Sequence, residues 1–276
     1  MAVDNEEVYK INLPRSDLKL TFNRAAINAF MRMTSWASVT TGTLKEAIVT
    51  GELVVFEDEV NLVISAALDS GLDVTALHNN FLFDTPLVMF LHIVGEWNGT
   101  DLTRGMRKCL DTIKEIRTAA PMPSAQFPSA KIPENSKISA QPIDKILGLK
   151  GQSNSGMYKA VIERHSRLAF AGTDDNALAG GELSVTIAKL QTVLRTLRRA
   201  DINIVAIDNH MTHEEPQFVF PHYWARGSEA KLAKALRTGL DKQALGSGTY
   251  IGRQAAKRDS RIARLAPIVG LVASCR

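Results

Sequence analysis

The sequence has few cysteines. Only Cys109 and Cys275 occur among the 276 residues. Two are too few for a disulfide framework of the kind that stabilises small secreted domains. Cys109 lies in a helical pattern, and we expect it to be a small buried residue. Cys275 is the penultimate residue, which does not fit a prenylation motif.

Long apolar runs are also absent, and this bears on membranes and export. No stretch approaches 18 uninterrupted apolar residues, so the sequence predicts no membrane-spanning helix. The first segment, MAVDNEEVYKINLPRSD, has no apolar core, so no signal peptide is visible. The sequence as written therefore predicts a cytoplasmic protein. The alternative is an exported protein whose N-terminus is truncated, because the first repeat described below begins almost directly after Met1.

Several familiar motifs of catalysis are missing as well. The sequence contains no G-x-x-x-x-G-K-[ST] phosphate loop, no G-x-S-x-G nucleophile elbow and no C-x-x-C pair. Charge is nearly balanced, with 33 basic and 29 acidic residues and a net charge of +4. The late segments KLAKALRTGLDK and RQAAKRDSRIAR hold part of the excess positive charge, a pattern that favours weak contact of the tail with an anionic surface. There is no strong signal for nucleic-acid binding.

An internal repeat is the strongest feature that the sequence does contain. Gly51-Glu52-Leu53 recurs as Gly181-Glu182-Leu183, and the offset of 130 residues holds without a gap across about sixty residues. Each repeat of this kind is one structural unit. Further pairs that keep the offset are Asn79 and Asn209, Pro86 and Pro216, His92 and His222, and Arg107 and Arg237.

Each copy predicts the order strand, helix, strand, strand, helix. GELVVFE is a short β-branched run, and EDEVNLVISAALDSG has apolar residues at helical spacing before Gly71. TDLTRGMRKCLDTI opens with Thr100-Asp101, which is suitable for an N-cap. We therefore predict an α+β protein of two repeated modules, each an antiparallel sheet covered by two helices. The predicted boundaries are 1–118 for the first module, 119–142 for a Pro/Ser-rich linker, 143–243 for the second module and 244–276 for a basic, mobile tail.

A second similarity lies upstream of each copy. VYKINL at Val8 resembles MYKAVI at Met157 with an offset of 149, so the second copy is about 19 residues shorter before its Gly-Glu-Leu. We expect the region SWASVTTGT of the first copy to be the shortened part. The segment before Met157, IDKILGLKG, predicts an amphipathic helix.

Two stretches carry most of the histidines, LHNNFLFDTPLVMFLH (77–92) and IDNHMTHEEPQFVFPH (207–222). Each predicts two strands around a proline-containing turn. In hairpins centred on residues 85 and 215, His78 would face His92 and Asp208 would face His222. Directly opposed side chains have Cβ atoms roughly 4.5–5.5 Å apart. Strand alternation places positions 80 and 210 on the same face, and positions 79 and 209 on the other, where an asparagine bonds backbone.

The candidate metal ligands are therefore histidines and one aspartate: His78, His92, Asp208, His210 and His222. Imidazole and carboxylate together suit a divalent transition metal such as zinc, iron, copper or manganese. The second copy could supply a triad of two histidines and one carboxylate, and His213 could close over it. Histidines in strands are also often structural, and both interpretations stay open. Glu57 and Glu59 could be catalytic carboxylates, but acids at a helix start are expected from the helix dipole alone.

These segments resemble a known family. LPRSDLKLTF, GELVVFEDEVNLVISAALDSGLDVTALHNN, DKILGLKGQSNSGMYK and NHMTHEEPQFVFPHYWA are similar to the LppY/LpqO-like bacterial proteins, a duplicated domain of unknown function, over about residues 7 to 243. The resemblance implies that relatives are often exported or lipoprotein-like, and it implies no activity. The first copy departs from the family's T-A-L-H-N-H pattern at Asn80, and the second departs from it at Asp208.

The sequence thus favours binding of a divalent metal or a small ligand through the histidine-bearing hairpins. If the protein is an enzyme, metal-assisted hydrolysis or oxygen chemistry is the expected class, with the histidines and Asp208 as ligands. The alternative is a non-catalytic envelope or interaction protein whose histidines are structural.

Overall fold

The computed structural model describes residues 2–3, 8–17, 20–22, 25–27, 33–42, 44–124, 126–162, 166–210 and 215–243. Two sequence-based expectations lie outside these residues: the position of His213 and the mobile basic tail at 244–276. Among the residues described, no helix is both long enough and apolar enough to cross a membrane.

The first repeat and the strands before it form eleven elements. They are β1 (Ala2–Val3), β2 (Val8–Pro14), β3 (Leu20–Phe22), β4 (Ala25–Ile27), β5 (Thr34–Thr41), β6 (Ala47–Phe56), α1 (Val60–Asp69), β7 (Asp73–His78), β8 (Asp84–Thr85), β9 (Val88–Trp97) and α2 (Gly99–Ala119).

The second repeat and its lead-in follow the same order. Its elements are α3 (Ala140–Leu147), β10 (Gln152–Asn154), β11 (Met157–Ile162), β12 (Ser166–Gly172), β13 (Ala177–Glu182), β14 (Val185–Thr186), α4 (Ile187–Arg199), β15 (Asn203–Asp208), β16 (Phe218–Gly227) and α5 (Glu229–Gln243).

One antiparallel sheet runs through both repeats, in the order β1-β2-β5-β6-β9-β7-β15-β16-β13-β12-β11-β10, with β14 paired to β16. At its centre β7 pairs with β15 through Leu77 and Ile207, two residues that the offset of 130 relates. The repeats are therefore related by a pseudo-twofold axis at this pair. The predicted fold class, α+β with two repeated modules, is confirmed.

The helices cover one face of this sheet. A single core cluster joins buried residues from all five helices to alternate strand residues such as Leu53, Leu91 and Ile93. The strand residues that alternate with these core residues point to the opposite face of the sheet, which we call the site face. In the first module, part of the site face is covered by the small sheet β4-β3-β8, next to a second cluster that contains Leu20, Val54 and Phe90.

Helix α2 shows how local sequence sets an element. Its buried face contains Leu102, Met106, Cys109 and Ile113, as the spacing predicts, and Cys109 is fully buried. The expected N-cap was wrong. Asn98 is the N-cap, and its side chain accepts hydrogen bonds from the backbone N–H groups of residues 100 and 101. The helix begins earlier because an asparagine directly after β9 satisfies these donors.

The expected position of the length difference between the repeats was also wrong. The strand in SWASVTTGT, β5, has a counterpart in β12: Ala37 pairs with Gly51, and Leu168 pairs with Gly181. The additional residues of the first repeat are instead 15–33, between β2 and β5, and they include β3 and β4. In the second repeat, the strand that contains Gly181 and Glu182 is β13, which begins at Ala177 and ends at Glu182.

The segment between α2 and α3 lies against the second repeat. The guanidinium of Arg226 donates to the Ser129 hydroxyl and to the Ala130 carbonyl, and Phe127 packs edge-on against Trp224 with ring centroids 4.7 Å apart. Helix α3 is amphipathic, as predicted, and buries Ile143 and Leu147. The bounds given above for the two modules, the linker and the tail remain predictions.

Candidate metal centres

In the first module, one glutamate and two histidines meet on the site face. Glu52 of β6, His78 of β7 and His92 of β9 each offer a ligand atom, and these atoms lie within 4.8 Å of one another. The two Nε2 atoms of His78 and His92 are 2.8 Å apart. The Nε2 atom of His92 lies 3.2 Å from Oε2 of Glu52. Three strands that are adjacent in the sheet thus supply the three side chains.

The second module repeats this cluster and adds a carboxylate. Glu182, His210 and His222 have ligand atoms within 4.8 Å of one another. Oδ1 of Asp208 is 3.3 Å from Nε2 of His222 and 3.6 Å from Nε2 of His210. Oε2 of Glu182 is 3.7 Å from Nε2 of His222. All five residues singled out from the sequence therefore lie in the two clusters.

The repeated tripeptide Gly-Glu-Leu explains how the glutamates reach the clusters. Glu52 pairs with His92 across β6 and β9, and Leu53 points into the helix-side core. A Cβ atom at Gly51 would lie 2.9 Å from the carbonyl oxygen of Trp36 on the neighbouring strand. Glycine is needed because that strand approaches closely. The second copy is equivalent, since a Cβ atom at Gly181 would collide with the carbonyl oxygen of the strand beside it.

The expected pairing of the hairpins was wrong by two residues. His78 pairs with Phe90 and Asp208 pairs with Phe220, so the hairpins centre on residues 84 and 214. The connection is not a tight turn in the first module, because it contains β8, which pairs with β3. A shift of two residues preserves the strand alternation. His78 and His92 therefore remain on one face, as diagonal rather than direct neighbours.

An aromatic ring supports each cluster. The ring of His78 stacks on Phe90 with centroids 5.9 Å apart and an interplanar angle of 13°. In the second module, His210 stacks on Phe220 at 3.8 Å and 8°. The two phenylalanines keep the offset of 130. They restrict the imidazole orientations and leave the ring nitrogens directed at the cluster.

The two glutamates differ in their electrostatic surroundings. Both are buried, with exposed fractions of 8% for Glu52 and 7% for Glu182. A buried carboxylate is costly unless it is paired or binds a metal. Oε1 of Glu182 lies 3.3 Å from Nη1 of Arg167. In the first module, Trp36 is paired with Glu52 where Arg167 is paired with Glu182.

The sequence analysis missed both glutamates as candidate ligands. Glu52 and Glu182 were interpreted only as parts of strands, although they keep the same offset as His92 and His222. That shared offset was the available signal. The expectation for the neighbouring asparagine was correct: the side-chain nitrogen of Asn79 donates to the carbonyl of Phe81 at 2.8 Å.

Of the two acids at the start of α1, Glu59 is held in a network of buried ion pairs. Glu59 is fully buried and accepts two hydrogen bonds from Arg15, at 2.8 and 2.9 Å. It also forms an ion pair with Arg117, at 3.0 Å. Burial alone would lower the pKa of Arg15, but hydrogen bonds and charges from Asp17 and Glu59 outweigh it and raise the pKa above its usual value. Arg15 therefore stays charged in the interior.

A groove of about 680 Å³ lies away from the clusters, between the start of α1, the start of β15 and residues 124–128. None of His78, His92, His210 and His222 lines it. The residues that form its walls include Leu62, Met89, Phe127, Asn203, Val205 and Trp224. The two histidine clusters therefore lie outside this groove.

Comparison with known families agrees with the duplication. A family model described as Domain of Unknown Function (DUF1259) matches the chain in two regions, residues 2–112 and 141–242. These regions contain the two repeats and together exceed half of the chain. No curated protein matches the chain. The arrangement of the clusters must therefore carry the functional argument.

Proposed function

Since the chain belongs to the family described as Domain of Unknown Function (DUF1259), a description that names no activity, we propose a function from the geometry: each module binds one divalent transition-metal ion. The ligands in the first module are Glu52, His78 and His92. In the second module they are Glu182, Asp208, His210 and His222.

The observation that carries this proposal is the Nε2-to-Nε2 distance of 2.8 Å between His78 and His92, beside a buried carboxylate. Two nitrogens bound to one tetrahedral zinc ion at about 2.0–2.1 Å lie about 3.3 Å apart, so a small shift admits the ion. Two histidines and one carboxylate are the protein ligands of many catalytic zinc and non-haem iron sites. In the first module, three protein ligands leave a coordination position open.

The two sites are mononuclear centres rather than one binuclear centre. Each is centred on the middle strand of its cluster, β9 or β16, and these strands are three positions apart in the order β9-β7-β15-β16. With a strand spacing of about 4.8 Å, the sites are about 14 Å apart. Two-metal catalysis needs ions about 3.5–4 Å apart. Metal-assisted hydrolysis or oxygen chemistry at single ions remains the reaction class that such sites favour.

The proposed bacterial family and the proposed export of the protein rest on sequence resemblance. The segments around the histidines support an LppY/LpqO-like bacterial identity, and this identity in turn supports export of the protein. The alternative, a non-catalytic protein with structural histidines, predicts that no metal binds.

Metal analysis of the protein without a histidine tag tests the proposal. After chelation, reloading with Zn²⁺ and desalting, we expect two ions per chain by elemental mass spectrometry. The substitution His92→Gln, and the pair His210→Gln with His222→Gln, should each leave one ion, and the triple variant should leave none. Glu57→Gln, an exposed carboxylate in the same module, is the matched control and should retain two.

Circular dichroism would show whether each variant keeps its fold, and glutamine preserves much of the histidine volume. Wild-type protein that retains no zinc after reloading would contradict the proposal and support structural histidines. A triple variant that still held two ions would place the metal elsewhere.

A further inference from the structure

We propose that the metal site of the second module, together with Arg167, forms a binding site for an oxyanion, either a carboxylate or a phosphate group. This inference rests on the proposed metal site. It adds the chemical class of the ligand and assigns anion binding to one of the two modules.

The position of Arg167 beside the metal ligands is the first step. Arg167 of β12 pairs with Glu182 of β13, and its Nη1 atom contacts Oε1 of that carboxylate at 3.3 Å. The other oxygen, Oε2, faces Nε2 of His222 at 3.7 Å. The guanidinium and the metal ligands therefore lie on opposite sides of one carboxylate. A ligand on the site face can reach both.

The second step concerns the capacity of Arg167 to bind more. The contact with Glu182 uses one of the five N–H donors of a guanidinium. The side chain of Arg167 is 56% exposed. A planar guanidinium matches the two oxygens of a carboxylate or phosphate group. The second module offers four protein ligands, so an anion would place one oxygen on the ion as a fifth ligand, a coordination number that zinc sites can reach, and another oxygen against Arg167.

The backbone of Arg167 is held firmly, which makes it a defined part of the site. It is paired on both sides, with Val161 of β11 and with Glu182 of β13. The Tyr223 hydroxyl donates to the Arg167 carbonyl at 3.3 Å.

The charge around the second site also favours an anion. A divalent ion and Arg167 together exceed the two negative charges of Glu182 and Asp208. Lys159 adds another positive charge, since it is exposed on β11 two residues from Val161, the direct partner of Arg167. Diagonal neighbours of this kind share a sheet face. The metal-loaded site is therefore locally positive.

The first module differs at the corresponding position. Trp36 takes the place of Arg167, and Nζ of Lys10 lies over its ring, 4.9 Å from the centroid. A cation held on an aromatic face is positioned by that ring. In the part of the first module that the structure describes, no guanidinium is paired with Glu52, and we assign the oxyanion site to the second module.

The test uses the full chain with His78→Gln and His92→Gln, so that only the second site takes metal. Co²⁺ is loaded, because its visible absorption reports changes in coordination, and the protein is titrated with acetate and with inorganic phosphate. We expect a saturable spectral change with at least one of them. Arg167→Gln should weaken that binding by about 10- to 100-fold, the range for a hydrogen bond to a charged group. Arg167→Lys should be intermediate because it keeps the charge without the fork.

A second readout separates anion binding from a positioning role. If Arg167 only orients Glu182, Arg167→Gln should lower Co²⁺ affinity. We expect Co²⁺ affinity to stay equal or rise, because the guanidinium no longer competes for the carboxylate. As a matched control, Arg167→Gln in a chain with His210→Gln and His222→Gln, which retains only the first site, should leave anion titrations unchanged.

Equal anion affinity with and without the Arg167→Gln substitution would overturn the inference. So would a parallel fall in Co²⁺ and anion affinity. Absence of Co²⁺ binding in the starting chain would contradict the proposed metal site as well, and is thus distinguishable from failure of the anion site alone. The tighter of the two anions would identify carboxylate or phosphate as the preferred group.

Discussion

Glu59 is a buried acid on which three segments of the first module converge. Arg15 comes from the segment after β2, Arg117 from the end of α2, and Glu59 itself precedes α1. Its Oε2 atom also accepts the backbone N–H of Phe56 at 2.8 Å. The carboxylate therefore links the strand, the two helices and the inserted segment of this module.

Replacement of this carboxylate by an amide should destabilise the protein strongly. Glu59→Gln leaves two buried guanidinium groups without their shared charge, and breaking a buried ion pair costs about 3–5 kcal/mol. The measurement is the free energy of unfolding in urea. Glu57→Gln, two residues earlier and exposed, should stay within about 0.5 kcal/mol of wild type. Similar losses in the two variants would show that the buried ion pairs contribute little.

Single residues were predictable where the repeat marked them. His92 and His222 stood out because the same residue recurs at one offset, and the structure brings them into equivalent clusters. Glu59 recurred in no such pattern, since Lys189 takes its place in the second copy. Its partner Arg15 is 44 residues away, so only the tertiary fold creates the pair.

At the scale of elements, one side-chain amide from each repeat forms hydrogen bonds with the backbone of the other repeat. Asn61 of α1 accepts from the backbone N–H of Ile204 at 2.7 Å and donates to its carbonyl at 3.2 Å. Gln191 of α4 does the same for Val74, at 2.9 and 2.8 Å. Both pairs keep the offset of 130. Each amide therefore hydrogen-bonds to the backbone of a strand in the other repeat. Ile204 of β15 and Val74 of β7 both lie at an irregularity in the register of their strand with β16 or β9.

Loss of either amide should cost stability without affecting metal content. Gln191→Ala and Asn61→Ala each leave one backbone N–H and one carbonyl unpaired, and we expect a loss of about 1–3 kcal/mol for each. The measurement is urea unfolding, with zinc content determined in parallel. Thr192→Ala, an exposed neighbour of Gln191, is the control. A Gln191→Ala variant as stable as this control would mean that water satisfies Val74 equally well.

Elements were easier to predict than their pairing. The helices followed from apolar spacing, as Leu102 and Met106 in α2 illustrate. The strand register did not follow, because the chain between His78 and Val88 contains an extra short strand that pairs elsewhere. A hairpin centre can be derived from sequence only when the connection is a tight turn. The side chains were still predicted on the correct face of the sheet, because the error in strand register was an even number of residues.

At the scale of the whole molecule, duplication produces one sheet with two sites. The central pair, Leu77 and Ile207, lies beside His78 and Asp208, and these last two point to the site face on neighbouring strands. No local pattern predicts that two antiparallel sheets will join edge to edge. The joining places both histidine clusters on one surface while keeping them three strands apart.

This separation predicts that the two proposed metal sites act independently. Effects at positions more than about 7–10 Å apart without shared ligands are usually additive within about 0.5 kcal/mol, and the estimated separation is about 14 Å. His92→Gln should therefore change the zinc affinity of the second module by no more than about twofold. His222→Gln should have an equally small effect on the first. Calorimetric titration of wild type and both variants measures these affinities. Tenfold weaker binding at the untouched site, or loss of both ions from a single substitution, would show instead that the central strands couple the two modules.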